Sequence, residues 1–123
     1  MPARPHGLPA SARLRARSEF LRVQRRGRRL EGSCFLALAA ESETGASRLG
    51  VTVSRKVGGA VVRNRIKRLV REIFRHGREA LGTTPIDIVV IARPAAARVA
   101  RERAVGDLAA LLRRAAQAPG RGC

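Results

Sequence analysis

The chain has 123 residues, with 26 Lys plus Arg against 9 Asp plus Glu and a formal net charge of +17. That length holds one domain and leaves no room for two sizeable cores. Hydrophobic residues make up 45% of the chain, Ala foremost among them; no apolar run approaches the roughly 18 residues that span a bilayer, and no secretory signal is evident in an Arg-rich start without an apolar stretch.

In chain order, residues 1–17 are basic, hold three Pro and show no steady period, so they read as a flexible N-terminal arm. Ser18 predicts the N-cap of a short helix running to about Arg26 and stopped by Gly27. Residues 34–40 are a strand-length apolar run, and 41–47, with Gly45, are a polar connection. Residues 49–54 alternate Leu, Val and Val with Gly, Thr and Ser, which predicts a strand with one buried face. Residues 86–92 are nearly all apolar, which predicts a central strand covered on both sides, ended by Pro94. From about Arg103 to Gln117, Val105, Leu108, Leu112 and Ala116 recur at helical spacing, closed by Pro119 and Gly120. This alternation predicts a small α/β or α+β sandwich, one domain over 18–117 with a short tail at 118–123.

The charge is clustered. Residues 1–30 hold nine Arg and one Glu, residues 31–47 hold three Glu and no base, and residues 48–78 hold ten bases and one Glu. A compact domain with this excess repels itself, and a polyanion is the partner that relieves it: nucleic acid first, an anionic membrane surface second. Cys34 sits in an apolar run and Cys123 is the last residue, and neither stands at a metal-ligand spacing from His6 or His76. No metal site is expected in the protein. No pair of acids and no His/Cys or His/carboxylate set stands out as catalytic, so no catalytic residue is assigned. Glu41 and Glu43 read as solvated loop acids, and His76 as a residue of a helix C-terminus.

The informative segment is 57–77. Gly58 and Gly59 break the chain before it and Gly77 ends it, while Val62, Ile66, Leu69, Val70, Ile73 and Phe74 fall on one helical stripe. The opposite face carries Asn64, Lys67, Arg68, Arg71 and Arg75, with Arg63 and Arg65 on the borders. The cationic strip is roughly 15 Å long at about 1.5 Å of rise per residue. Ordinary solvated helix faces mix signs, because i,i+4 ion pairs stabilise and like charges destabilise. Here only Glu72 is acidic, which favours a nucleic-acid-binding face. Ser54, Arg55 and Lys56 just before the Gly pair suit phosphate, although the Gly pair is neither a Walker loop nor a Gly-x-x-Gly clamp.

The run from Arg48 to Phe74, with Val53-Ser-Arg-Lys-Val-Gly58 followed by Arg63-Asn64-Arg65, closely resembles the signature of the bacterial ribonuclease P protein component. Arg13-Leu-Arg, Ser18-Glu-Phe-Leu-Arg-Val and Gly27 resemble the family's first helix and its approach, and Asp87-Ile-Val-Val-Ile-Ala-Arg-Pro94 its last strand. The likeness covers roughly residues 8–115 in the right order.

The resemblance implies an α+β fold: an αβββαβα two-layer sandwich with a left-handed βαβ crossover, similar to the second domain of small-subunit ribosomal protein five. Default topology alone would favour a right-handed crossover. An extra short strand is then placed near residues 29–32, which composition does not reveal. The resemblance also implies the small subunit of a ribonucleoprotein whose RNA carries the catalytic centre and its Mg2+ and cuts the 5′ leader from precursor tRNA, leaving a 5′ phosphate. The partners are the ribonuclease P RNA subunit and the precursor tRNA 5′ leader, with no membrane and no protein partner required, in the cytoplasm.

By position, the resemblance assigns Arg55, Lys56, Arg63, Asn64, Arg65, Lys67, Arg68 and Arg71 to the RNA subunit, Asn64 adding a directional amide suited to a hydrated metal ion. It assigns the leader to a cleft between the first helix and the sheet, with Phe20, Gln24, Leu36, Leu38, Arg15 and Arg17. On the residues alone, Phe20 is as well read as a core side chain as one that stacks on a leader base. Strand alternation turns Leu36 and Leu38 toward the cleft and Phe35 away. Where members often carry aromatics this chain has Gln24 and Leu38, so leader grip is expected to lean on charge, from Arg15, Arg17 and Arg22. Composition alone also allows a ribosomal-type structural RNA-binding protein or a DNA-binding protein with 60–76 as recognition helix. A membrane-surface helix fits less well, since the apolar face is needed for the core.

Overall fold

The computed structural model describes residues 12–14, 16–77 and 85–117. The elements are α1 (Arg17–Arg26), β1 (Arg28–Glu31), β2 (Phe35–Glu41), β3 (Arg48–Thr52), α2 (Ala60–Gly77), β4 (Ile86–Ala92), the single turn α3 (Ala95–Arg98) and α4 (Arg101–Gln117). The order is the αβββαβα expected, with α3 added before the last helix. β1 is the short strand that the resemblance placed near 29–32. No helix among the described residues is long and apolar enough to cross a membrane.

The four strands form one sheet in the order β1-β2-β4-β3. β1 and β2 form an antiparallel hairpin, β2 pairs antiparallel with β4, and β3 pairs parallel with β4. The parallel pair requires a crossover, which α2 supplies. β4 is therefore an interior strand, and all its residues but Ile91 are buried, as its apolar run predicts.

Alternation along the strands splits the apolar residues between two faces. On one face Leu30, Phe35, Ala37, Ala39, Leu49, Ile86, Ile88 and Val90 meet Ile66, Leu69, Val70 and Phe74 of α2 and Leu108, Leu111 and Ala115 of α4. This is the main core. On the other face a smaller cluster of Leu14, Val23, Ala40 and Val89 lies under α1, with Phe20, Leu38 and Ile91 partly buried against it. Gly50 is the reason the ring of Phe20 can lie against β3: a Cβ there would stand 2.6 Å from Phe20 Cζ.

Helix α1 starts two residues earlier than Ser18 predicts. Ala16 is the N-cap residue; its side chain has no oxygen to accept from the first turn, and its own N–H donates to Glu19 Oε1 at 3.2 Å, the acid reaching back from three residues on. The arm expected over residues 1–17 lies mostly outside the described residues. Its described part is packed: Ala12 and Leu14 are buried, Arg13 bridges β3 at Leu49, and the Leu14 N–H donates to the Leu49 carbonyl at 2.8 Å. The tail at 118–123 lies outside the described residues.

Two polar devices tie the layers. Asp107 of α4 accepts the backbone N–H groups of Ser33 (3.2 Å), Cys34 (3.0 Å) and Phe35 (3.2 Å), fixing α4 to the β1–β2 turn. Beneath α1, Asp87 is fully buried and takes a two-pronged contact from Arg48, Nε at 3.0 Å and Nη2 at 2.8 Å. Arg22 of α1 also binds Asp87, and Arg48 reaches Glu19 of α1. A buried carboxylate is tolerated only when paired in this way.

Candidate nucleic-acid interface

Two surfaces carry the residues singled out from sequence, and they lie on different sides of the sheet. The first is the outer side of α2. Its inner stripe buries Ile66, Leu69, Val70 and Phe74. Each contributes about 1.5–3 kcal/mol by burial, whereas like charges four apart on a helix cost only about 0.2–0.5 kcal/mol per pair. The core therefore fixes the helix with ease while its outer face keeps uncompensated cations.

Asn64, Arg65 and Arg68 are exposed, and Arg63, Lys67 and Arg71 are half-buried. Arg55 and Lys56 are exposed in a turn closed by the Val57 N–H donating to the Ser54 carbonyl at 3.1 Å. None of these seven cations forms an ion pair with a described residue. Arg75, expected on the same strip, differs: it binds Glu72 at 3.0 Å and touches His76 Nε2 at 2.9 Å. The hydrogen bond from Arg75 holds the Glu72 carboxyl below its usual range. The unpaired strip thus ends at Arg71.

Arg71 has a neighbour that sequence reasoning left in the arm. Its pKa is pushed down, first by burial and then by the positive charge of Arg13. Two guanidiniums near one another with no acid between them make an anion-attracting spot at the end of the strip. The bridge of Arg13 to Leu49 is what puts it there, and a packed approach to α1 could have been suspected from the apolar Ala12 and Leu14 flanking it.

The second surface is the sheet face that α1 covers only in part. Register places its side chains in three rows. Ala40, Asp87 and Arg48 lie in one row, Arg29, Leu38, Val89 and Gly50 in the next, and Glu31, Leu36, Ile91 and Thr52 in the last. The first row is closed by α1 through Arg22 and Glu19. Phe20 lies over the second. The third is uncovered, with Leu36 and Ile91 half-buried and Thr52 exposed. The result is an apolar shelf of Phe20, Leu38, Leu36 and Ile91, with Phe35 on the opposite face, as alternation predicts.

Of the other cleft residues expected, Gln24 and Arg17 are exposed on α1, and Arg15 lies outside the described residues. Arg22 is corrected: it does not offer its charge to a cleft ligand, because it is bound to Asp87 and to Glu43 at 3.0 Å. Sequence reasoning missed Arg29, Glu31 and Arg93, which gather at the uncovered row. Arg93 Nη2 and Arg29 Nη2 both reach Glu31 Oε1, at 3.0 and 3.4 Å. The hydrogen bond from Arg93, then that from Arg29, draws the Glu31 carboxyl below its usual range. Strand alternation over 28–31 would have found Arg29 and Glu31 once that strand was recognised.

Among the described residues no three His, Cys, Asp or Glu side chains gather as a metal cage. Glu19, Glu31, Glu43, Glu72 and Asp87 all face guanidiniums. This donor set does not fit a protein-held Mg2+. What the two surfaces can do is neutralise phosphates along α2 and receive flat or apolar groups beside α1.

A family model described as Ribonuclease P matches residues 8–116. The chain is 52% identical over 83 residues to the ribonuclease P protein component of Desulfatibacillum aliphaticivorans, covering 68% of this chain and 70% of that protein. It is 37% identical over 115 residues to that of Desulforapulum autotrophicum, covering 94% and 97%. The solved RNase P protein of Thermotoga maritima superposes with a TM-score of 0.73 at 39% identity, covering 83% of this chain and 96% of that one.

Proposed function

The chain belongs to the ribonuclease P protein family, and from that premise we propose how its two surfaces share the work. Ribonuclease P is an endoribonuclease of tRNA processing, and its protein component is the accessory subunit that partners the ribonuclease P RNA in removing the 5′ leader. In this reading the outer side of α2, with Arg55 and Lys56 of the preceding turn, docks on the RNA subunit. Arg63, Arg65, Lys67, Arg68 and Arg71 neutralise its phosphates, and Asn64 supplies an oriented amide among them. Arg13 extends the same surface beside Arg71.

The shelf beside α1 takes the single-stranded leader of precursor tRNA. Phe20 offers a face on which a base stacks, and Leu36, Leu38 and Ile91 offer apolar contact. Arg17 and Gln24 flank it from α1, and Arg15 belongs to the same group by its place in the chain. The hydrolytic step and its Mg2+ belong to the RNA. The protein holds both RNAs so that the scissile bond is presented to it, an effect of positioning rather than of chemistry. The working unit is one RNA-binding domain reaching to residue 117, with Ala12 and Leu14 of the expected arm packed into it, acting in the cytoplasm with no further protein required.

The observation that supports this most directly is the strip from Arg63 to Arg71, which carries five cations and no acid. The test is reconstitution: the purified chain is added to the ribonuclease P RNA and precursor tRNA at low magnesium. Restored 5′ maturation is expected. Binding without any gain in cleavage would instead point to a structural RNA-binding protein.

A further inference from the structure

Glu31 stands where a polyanion-binding surface should not want a carboxylate. The register of the β1–β2 hairpin sets it directly opposite Leu36, in the uncovered row of the shelf, with Arg29 opposite Leu38 two residues before it. The other carboxylates of this face, Asp87 and Glu19, are held by Arg48 beneath α1. Among the described residues Glu31 alone stands at the open end. Its side chain is 60% exposed, as are 63% of Arg29 and 38% of Arg93, and both guanidiniums converge on one oxygen, Oε1. Arg93 also keeps a buried Nε with no hydrogen-bond partner among the described residues, so the Glu31 contact satisfies only part of its donor set.

We propose that Glu31 is a built-in competitor for the leader: in the free protein it occupies the Arg29 and Arg93 guanidiniums that leader phosphates take over when the strand lies on the shelf. The inference rests on the assignment of this face to the leader. Exposed ion pairs of this kind are weak, because water screens them and long side chains must be ordered to make them. A phosphodiester, like a carboxylate, presents two acceptor oxygens to a guanidinium, so exchange needs no rearrangement beyond the side chains. What remains after exchange is a carboxylate charge beside the strand. That charge penalises any polyanion lying on this face. A single strand offsets the penalty by placing bases on Phe20, Leu36 and Leu38, whereas a duplex keeps its bases stacked inside and cannot. Glu31 thereby acts as a specificity residue: it lowers affinity for phosphate in general and leaves the advantage to unpaired nucleotides.

The experiment uses the reconstituted holoenzyme and measures affinity for precursor tRNA relative to mature tRNA, at several salt concentrations, for the native chain and for Glu31→Gln, Arg93→Gln and Phe20→Ala. Glu31→Gln keeps shape and hydrogen-bonding capacity and removes the charge. It is expected to raise the ratio about threefold to tenfold and to steepen its salt dependence by about one unit, the value of one phosphate contact no longer opposed. It is also expected to tighten a double-stranded RNA competitor at least as much as the leader. Arg93→Gln and Phe20→Ala are expected to lower the ratio. If these two lower it while Glu31→Gln leaves it unchanged or lowers it too, Glu31 merely orients the arginines and the competitor role is wrong. If neither Arg93→Gln nor Phe20→Ala changes the ratio, the leader does not lie on this face, and the assignment beneath the inference fails with it.

Discussion

The two faces of the sheet are covered to different depths. Beneath α2 and α4 the coverage is complete: Phe35, Phe74, Ile88, Val90 and Leu108 are all fully buried, and past the exposed Val61 of its first turn α2 meets the outside through its polar side. Beneath α1 one ten-residue helix spans part of the sheet, and Leu36, Leu38, Ile91 and Phe20 stay half-buried. A fully roofed face leaves recognition to charge on the roof. A partly roofed face lets apolar side chains do recognition themselves. On the function proposed above, this contrast lets one small domain offer two RNAs different chemistry: a phosphate-matching strip and a base-accepting shelf.

The strongest way to break the contrast is through the buried charges that anchor α1. Asp87→Ala leaves Arg48 and Arg22 with only the less buried Glu19 and Glu43, and removing one partner of a buried pair costs about 3–5 kcal/mol. Urea unfolding is expected to show a loss of that size. A loss below 1 kcal/mol would mean that Val23 and Phe20 hold α1 without the ion cluster. The next test concerns the strip. Arg65→Ala and Arg68→Ala are each expected to weaken assembly with the ribonuclease P RNA by roughly 1.5–3 kcal/mol, the range for hydrogen bonds to charged groups. Each should also flatten the salt slope by about one unit. Unchanged assembly in both variants would remove the RNA subunit from that face. Phe20→Ala acts on the shelf and on the packing of α1, on the far side of the sheet from the strip: it should spare assembly and cost about 1–2 kcal/mol of preference for leader-bearing substrate, at the lower end of base–aromatic stacking. Smallest is the expected steepness of the salt dependence of leader affinity. With three Phe and no Trp or Tyr in the chain, charge must supply much of the grip.

What was legible in the sequence follows the same division. α2 and β4 stood out because their patterns are long and clean, eighteen residues at helical period and seven nearly continuous apolar residues. The alternation that puts Leu36 and Leu38 opposite Phe35 was legible for the same reason. β1 was not: Arg-Arg-Leu-Glu has one apolar residue, and only pairing with β2 makes it a strand. The family resemblance supplied it. The Ala16 cap was hidden because Ser18 is the better local cap former and Glu19 wins by reaching back. The clamp between Arg48 and Asp87 joins residues 39 apart in sequence, and the Glu31–Arg93 contact joins residues 62 apart. No local pattern encodes such meetings. An Asp inside a strand expected to be covered on both sides was nonetheless a visible demand for a cation, and could have been read as one.

The order of strands has a consequence for the chain as it is made. β2 and β3 do not touch each other in the sheet; β3 finds its ladder only on β4, and β2 has only the four-residue β1 beside it until the arrival of β4, which is synthesised after both and after α2. A ribosome that has delivered everything up to Gly77 has released every cation of the docking strip but no platform to flatten it against. Until residue 92 emerges, the β1–β2 hairpin is the one part of the sheet that can pair, and the strip's cations precede the sheet that positions them.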